Sequence, residues 1–108
     1  MSLYYITFAK TEEAEAIGRA LLEHRLAVCV NWFPITCAYL WEGEIIQEPE
    51  TVLIVKTRPD LFPAIESLIR QYVDYVNFIG EIAPSQVNSE FLDWLSRETH
   101  EEPSESPP

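Results

Sequence analysis

The order of apolar patterns along the chain constrains its fold more than any other feature. Two stretches, residues 14–22 and 61–73, place apolar residues at helical spacing. The segments around them are rich in β-branched and aromatic residues, which is typical of strands. The strand-like segments are 4–9, 27–41, 51–57 and 77–83. Pro34 interrupts the second of them and suggests a bend, a bulge or an edge position. The pattern therefore predicts the order β-α-β-β-α-β, with Thr11 and Asp60 as the N-caps of the two helices, followed by a third helix capped by Asn88.

This order predicts an α+β fold of the ferredoxin-like sandwich type. Two crossover units joined by a hairpin at Gly43 place both helices on one face of an antiparallel sheet. The long hairpin and the three tryptophans favour a second subunit as the cover of the open sheet face. We expect one domain over residues 1–98 with an extra C-terminal helix, and a disordered acidic, Pro- and Ser-containing tail over residues 99–108.

The charge of the chain excludes several partners. The chain of 108 residues has 18 acids and 7 bases, a net charge of −11. The tail holds three of these acids and no base, so residues 1–98 retain 15 acids, 7 bases and a net charge of −8. Binding to nucleic acid or to anionic lipid depends on clustered Lys and Arg. We therefore expect neither nucleic acid nor membrane as a partner.

The N-terminus and the cysteines predict a cytoplasmic protein. The apolar run before Lys10 is too short for a signal peptide or a membrane span. Cys29 and Cys37 have no CxxC spacing, and on one extended segment they lie about 26 Å apart, too far for a disulfide. Free thiols are typical of a reducing, cytosolic compartment.

Four short runs, collinear along residues 4–96, together resemble one known family. They are RLAVCVN at 25–31, WEG at 41–43, VLIVKT at 52–57 and LDWL at 92–95. In this combination they resemble the CutA family, the divalent-cation-tolerance proteins. The resemblance implies a ferredoxin-like protomer in a tight homotrimer, similar in architecture to PII signalling proteins. It also implies a role in tolerance to copper and other divalent cations, with no established catalytic activity.

One stretch departs from the family pattern. The family has His-Pro-Tyr-x-x-Pro-Glu-Ile before the last strand, and residues 75–82 keep only Glu81 and Ile82 of it. Tyr75 stands where the family has its His, so this position provides no imidazole for a copper site. The departure predicts an altered pocket.

The candidate metal ligands are a thiol and the acids of the hairpin. Cys29 is either a soft Cu(I) ligand, which the resemblance places beside an intersubunit cleft, or a small buried hydrophobe. Glu42 and Glu44, with Glu48 and Glu50 further along, are either oxygen ligands of a hard divalent ion or a solvated hairpin face. Copper or another divalent cation, weakly held, is the expected cofactor.

The candidate ligand-binding residues are Cys29, Asn31, Trp41, Lys56 and Glu81. Lys56 and Glu81 end two strands and form either a structural ion pair or part of a pocket for an anionic group of a small ligand. Asn31 and Trp41 are expected to shape the same cleft, although packing alone would also explain Trp41.

Nothing in the sequence assembles a catalytic set. The three glycines form no phosphate-binding loop, and no Ser-His-Asp or Cys-His pattern is present. The acidic loop at 9–13 argues against a hydrolase of the acylphosphatase kind, which needs an anion-binding Arg there. The first hypothesis is a trimeric, non-enzymatic CutA-like protein in divalent-cation (copper) tolerance. The second is a PII-like signalling module that binds a small metabolite in intersubunit clefts.

Overall fold

The computed structural model describes residues 1–99 and contains the predicted elements in the predicted order. The sheet has the order β2-β3-β1-β4, and all three strand pairs are antiparallel. This arrangement confirms the α+β, ferredoxin-like fold with a long hairpin and an extra C-terminal helix. The strands are β1 (Ser2–Phe8), β2 (Cys29–Trp41), β3 (Glu44–Thr57) and β4 (Ile79–Ile82), and the helices are α1 (Thr11–Glu23), α2 (Phe62–Arg70) and α3 (Ser89–Thr99).

The core lies between the sheet and the first two helices. Residues of β1 alternate between buried and half-buried, because successive side chains point to opposite faces of a strand. Tyr4, Ile6 and Phe8 face the helices and are at most 1% exposed. From the helices, the apolar stripes of α1 and α2 complete the core with Ile17, Leu21, Ile65 and Ile69, all fully buried.

The hairpin is longer and more regular than the sequence indicates. All 13 residues of β2 pair with β3, from Cys29 opposite Lys56 to Trp41 opposite Glu44. The strand therefore runs through Pro34 without a break, and of the three predicted possibilities the edge position is the one found. β3 likewise runs through Pro49, whereas the sequence predicted a strand only from residue 51. Both prolines are tolerated because they lie at free strand edges: β2 is an edge strand, and β1 pairs with β3 only as far as Thr51.

The helix starts differ from the predicted caps. Thr11, predicted as N-cap, is the first residue of α1, and its hydroxyl hydrogen-bonds the Thr51 hydroxyl at 2.7 Å. The Glu13 carboxylate instead accepts a hydrogen bond from the Lys10 backbone N–H at 3.3 Å. Asp60, predicted to cap α2, has a φ of 68° and lies one residue before the actual N-cap.

The end of the described chain belongs to α3. Thr99, predicted as the first residue of the tail, is buried, and its hydroxyl donates to the Leu95 carbonyl oxygen at 2.7 Å. The rest of the predicted tail, 100–108, lies outside the described residues. No helix within residues 1–99 has the length and apolar character needed to span a membrane.

Candidate functional site

The structure brings three of the predicted cleft residues together on the open face of the sheet. Cys29 lies directly opposite Lys56 across the β2–β3 ladder. Asn31, two residues further along β2, points to the same face. Cys29 and Lys56 are half-buried, and Asn31 is exposed. A thiol, a carboxamide and an ammonium group therefore share one face of the sheet.

Trp41 does not belong to this group. It lies at the far end of β2, beside the hairpin turn, where 61% of its surface is exposed. At the rise of a β-strand, the twelve residue steps from Cys29 to Trp41 span about 40 Å. The predicted single cleft therefore does not form within one chain, because a continuous strand separates its members.

Lys56 and Glu81 are not paired with each other either. Lys56 stands opposite Leu3, whereas Glu81 stands opposite Tyr4. Neighbouring residues of β1 point to opposite faces, so the sheet lies between the two charged groups. The Glu81 carboxylate accepts a hydrogen bond from the Ser2 hydroxyl at 2.6 Å, and it contributes to the raised pKa of Tyr4, which burial chiefly brings to about 12.

The predicted hard-cation ligands, Glu42 and Glu44, sit at the hairpin turn. Glu42 and Gly43 have φ values of 50° and 82°, the combination that defines a tight type I′ turn. Both glutamates are exposed. Over residues 1–99, no three His, Cys, Asp or Glu side chains come close enough to hold one metal ion. A single chain thus presents these acids as a solvated surface.

A large groove opens between the hairpin and the segment before β4. Its volume is about 920 Å³, within the usual range of ligand sites. One wall is formed by every second side chain of the outer hairpin, those that point to the same side of the ribbon. The other wall is formed by the segment 74–78. Its lining includes the aromatic side chains Tyr39, Trp41, Tyr75 and Phe78 and the acidic side chains Glu48 and Glu50.

Cys37 is the thiol of this groove. It lies opposite Glu48 on the hairpin. Desolvation and the nearby Glu50 carboxylate raise the pKa of the Cys37 thiol. The Tyr39 hydroxyl donates to Glu48 at 2.6 Å, and this hydrogen bond is the main reason that the pKa of Tyr39 rises to about 12. The groove therefore favours neutral thiol and phenol groups beside carboxylates.

The segment that departs from the family pattern forms the second wall. Tyr75, in place of the family's His, donates to the Glu13 carboxylate at 2.6 Å and accepts from the Ala9 N–H at 2.8 Å. Asn77 donates to the Thr7 carbonyl oxygen at 2.8 Å and accepts from Arg70 at 2.7 Å. These bonds fix the altered segment to β1, α1 and α2 in spite of its unusual sequence.

Sequence reasoning did not place Cys37, Tyr75 and Phe78 at this groove. The signal for one wall was present, because Cys37, Tyr39 and Trp41 alternate at the period of a strand. This alternation can be recognised as a strand pattern only if β2 is assumed to continue through Pro34. The placement of Tyr75 across the groove from this wall has no sequence signal, since Tyr75 lies 38 residues after Cys37.

Known proteins of one family match this chain over nearly its whole length. The family described as "CutA1 divalent ion tolerance protein" matches residues 2–98. The divalent-cation tolerance protein CutA of Thermus thermophilus is 38% identical over 96 residues, which cover 87% of this chain and 93% of that protein. The corresponding protein of Archaeoglobus fulgidus is 41% identical over 92 residues, which cover 84% and 90%.

Solved structures agree with the sequence relatives. A structure of CutA from Archaeoglobus fulgidus superimposes with a TM-score of 0.88 at 38% identity and covers 93% of this chain and all of that one. CutA1 from Pyrococcus horikoshii superimposes with a TM-score of 0.86 at 35% identity and covers 94% of this chain and all of that one.

The comparison corrects the predicted cytoplasmic location. The Archaeoglobus structure is described as a periplasmic divalent cation tolerance protein, which contradicts that prediction. The free thiols do not support it either. Cys29 and Cys37 lie on one continuous strand, too far apart for a disulfide in any compartment, so their reduced state says nothing about redox conditions. The sequence relatives and the solved structures both point to the same family. The chain belongs to the CutA1 divalent ion tolerance protein family.

Proposed function

We propose that this chain acts in divalent-cation tolerance, as a homotrimer and without catalysing a reaction, and that copper is among the cations concerned. The observation that carries the proposal is the match of residues 2–98 to a family named for divalent-ion tolerance rather than for a reaction. Relatives that share the whole domain bear the same name.

The apolar surface of the hairpin and the open sheet face supports the trimer. Leu40 and Ile45 form a cross-strand pair in which each side chain is more than 75% exposed. Phe33 and Ile82, on the open face of the sheet, are 40% and 51% exposed. Apolar area of this extent on a small soluble domain is typical of an interface with another subunit.

Assembly would also supply what one chain lacks for metal binding. No three potential ligands converge within residues 1–99, whereas a trimer has three copies of Cys29 and of the acidic hairpin. A thiolate is a preferred ligand of Cu(I), and glutamates attract hard divalent ions. The proposal therefore assigns copper to Cys29, and a loose, unspecific attraction of cations to Glu42 and Glu44.

Light scattering tests the assembly. We expect a particle of three times the 12.5 kDa chain mass at micromolar concentration. Leu40→Glu should lower that mass, because it places a charge in the proposed interface, while Glu42→Gln at the neighbouring turn should not. A wild-type mass near that of a single chain would refute the trimer.

Metal tolerance and metal binding are tested together with matched cysteine variants. Deleting the gene in the source organism should lower the copper concentration that stops growth, and the wild-type gene should restore it. Cys29→Ser should fail to restore growth and should lose at least about tenfold in Cu(I) affinity, measured against a competing chelator, whereas Cys37→Ser should behave as wild type. A Cu(I) affinity of Cys29→Ser equal to that of the wild type would exclude Cys29 as a ligand.

A second function, a PII-like module that binds a small metabolite, is favoured by the large groove. Its volume of about 920 Å³ suits a metabolite, and it combines aromatic walls with polar groups. Calorimetric titration with Cu²⁺, Zn²⁺ and a nucleotide panel separates the two functions. Saturable binding of a metabolite at three equivalent sites, with metals bound no more tightly than by a generic acidic protein, would favour the second.

A further inference from the structure

We propose that Lys56 is the anchor of a small-anion site, a shallow groove between β1, β3 and the start of α3 that takes a monocarboxylate with an apolar body. The groove has a volume of about 350 Å³ and lies away from the hairpin groove. Its walls are formed by Leu3, Lys56, Gln86, Val87, Asn88 and Phe91, among others. Leu3 and Lys56 lie on the sheet face that the proposed trimer uses, so this inference requires that assembly leave the groove open, whereas it does not depend on metal binding.

The first observation is that the Lys56 ammonium group has no anionic partner among the described residues, 1–99. Within residues 1–99 it makes no hydrogen bond or ion pair, and its charge interacts only with the face of Phe91, 5.8 Å from the ring centroid. The side chain is half-buried. A partly desolvated charge without a counter-charge is unfavourable, and a bound anion would compensate it.

The second observation is the chemistry of the groove around this ammonium group. Among the described residues that line it, none is Asp or Glu, although the chain carries 18 acids. Gln86 and Asn88 add carboxamide groups that can donate hydrogen bonds. The Asn88 amide makes only a long contact of 3.5 Å, to Glu90, which is not a lining residue. Hydrogen-bond donors thus line this groove, and no carboxylate of residues 1–99 does.

The character of the site selects the class of anion. One ammonium group and two carboxamides match a single carboxylate better than a phosphate, which proteins usually bind with Arg in bidentate contacts or with several charges. The net charge of −11 repels polyanions. Leu3, Val87 and Phe91 supply an apolar surface for a hydrocarbon or aromatic body. Benzoate has this combination of one charge and a flat apolar body, and it serves as the probe.

Titration of the full chain with benzoate at constant ionic strength, followed by amide chemical shifts, tests the site. We expect saturable shifts at residues 86–91 and around Lys56. Lys56→Gln should weaken binding by at least about tenfold, because the charge-assisted hydrogen bond is lost. Lys10→Gln, which changes the only other lysine, an exposed one, should leave the affinity unchanged.

A second pair of variants keeps Lys56 in place. Gln86→Glu adds an isosteric carboxylate to the exposed rim of the groove and should also weaken benzoate binding at least tenfold, while Gln47→Glu on the hairpin adds the same charge without effect. No saturable shift in the folded wild type, shifts centred elsewhere, or equal affinity in Gln86→Glu and Gln47→Glu would each overturn the proposal. If Lys56→Gln changes the particle mass, the counter-charge of Lys56 belongs to another copy of the chain, and this result would also overturn the proposal.

Discussion

At the scale of single residues, Tyr75 is the side chain that most clearly ties distant parts of this protein together. Its hydroxyl group lies between the Glu13 carboxylate of α1 and the Ala9 backbone N–H after β1. Neither partner is close to Tyr75 in the sequence, so the side chain joins the segment before β4 to the start of the chain. The position where the family pattern has His thus has a structural role in this member.

Removing that hydroxyl group should have a measurable cost. Tyr75→Phe breaks both hydrogen bonds, and we expect the free energy of unfolding to fall by about 1–2 kcal/mol, since the Ala9 N–H is exposed enough to be hydrated in part. Chemical denaturation measures the change. Tyr72→Phe is the matched control, because this neighbouring tyrosine is 49% exposed and should cost much less. Equal effects of both substitutions would contradict the role of Tyr75.

The buried tyrosines predict loss of stability in alkali. Burial is the largest cause that raises the pKa values of Tyr4 and Tyr75 from 10.0 to about 12. The folded state therefore holds protons that the unfolded state releases between pH 10 and pH 12. The stabilisation is complete below pH 10 and is lost as the pH rises through about 12.

Denaturation curves at pH 9, 10, 11 and 12 check this dependence. The free energy of unfolding of the wild type should decline from pH 10 to pH 12. In a variant with both Tyr4→Phe and Tyr75→Phe, the decline from that variant's own value at pH 9 should be smaller than in the wild type. A double variant with the wild-type pH dependence would show that other groups cause the alkaline loss.

At the scale of elements, the hairpin depends on the backbone of its turn. Gly43 has a φ of 82°, and a Cβ atom added there would meet no other atom within 4 Å. Any effect of a side chain at this position is therefore an effect of backbone conformation, and for an L-residue that conformation costs about 1–2 kcal/mol.

We expect Gly43→Ala to destabilise the hairpin by about 1 kcal/mol and Gly43→Asn to cost less, because Asn tolerates positive φ. Hydrogen exchange of the amides in residues 35–50 is the measurement, since the outer hairpin can open without unfolding the core. Faster exchange confined to this ribbon in Gly43→Ala supports the prediction. Equal exchange in both variants would mean that the turn is not what holds the ribbon closed.

At the scale of the whole molecule, charge dominates the response to ions. The net charge is −11, and no base occurs from Val28 to Val55. Self-repulsion of this kind weakens the folded state and is screened by salt. A surface like this attracts any cation weakly, so weak metal binding alone says little about a metal function.

The thermal midpoint should therefore rise with NaCl, and Mg²⁺ and Ca²⁺ at equal ionic strength should raise it by similar amounts. Differential scanning calorimetry with dialysed protein measures these shifts. A saturable extra shift with one of these two ions, complete at a fixed ratio of ion to chain, would contradict the diffuse picture and indicate a dedicated hard-cation site.

The sequence predicted the elements better than the contacts between them. The helical stripes of residues 14–22 and 61–73 and the strand-like composition of 51–57 were sufficient for the order of elements. Local signals were less reliable where tertiary contacts compete with them. Thr11 was a sound N-cap candidate, but its hydroxyl pairs with Thr51 of another strand. Pro34 and Pro49 suggested interruptions because sequence alone did not show that their strand edges are free.

The candidate site shows the same division. Cys29, Asn31 and Lys56 were predicted to share a cleft, and the register of β2 and β3 brings them to one face. Trp41 and Glu81 were assigned to the same cleft. Trp41 instead lies at the far end of the 13-residue strand β2, and Glu81 lies on the opposite face of the sheet. Spacing along a chain does not specify strand length or facing when the pairing partners are unknown.

By itself, the sequence determined the composition of the elements, their order, the acidic character of the chain and its family resemblance. These properties follow from local periodicity and from charge, which need no knowledge of distant partners. Only the tertiary structure decided that the hairpin is one continuous ribbon, that Cys37 and Tyr75 face one groove, and that Lys56 lies beside Phe91 with no anionic partner among residues 1–99. The physical reason is that strand register and helix docking are set by burial over the whole domain, and a shift of one residue exchanges the two faces of a strand.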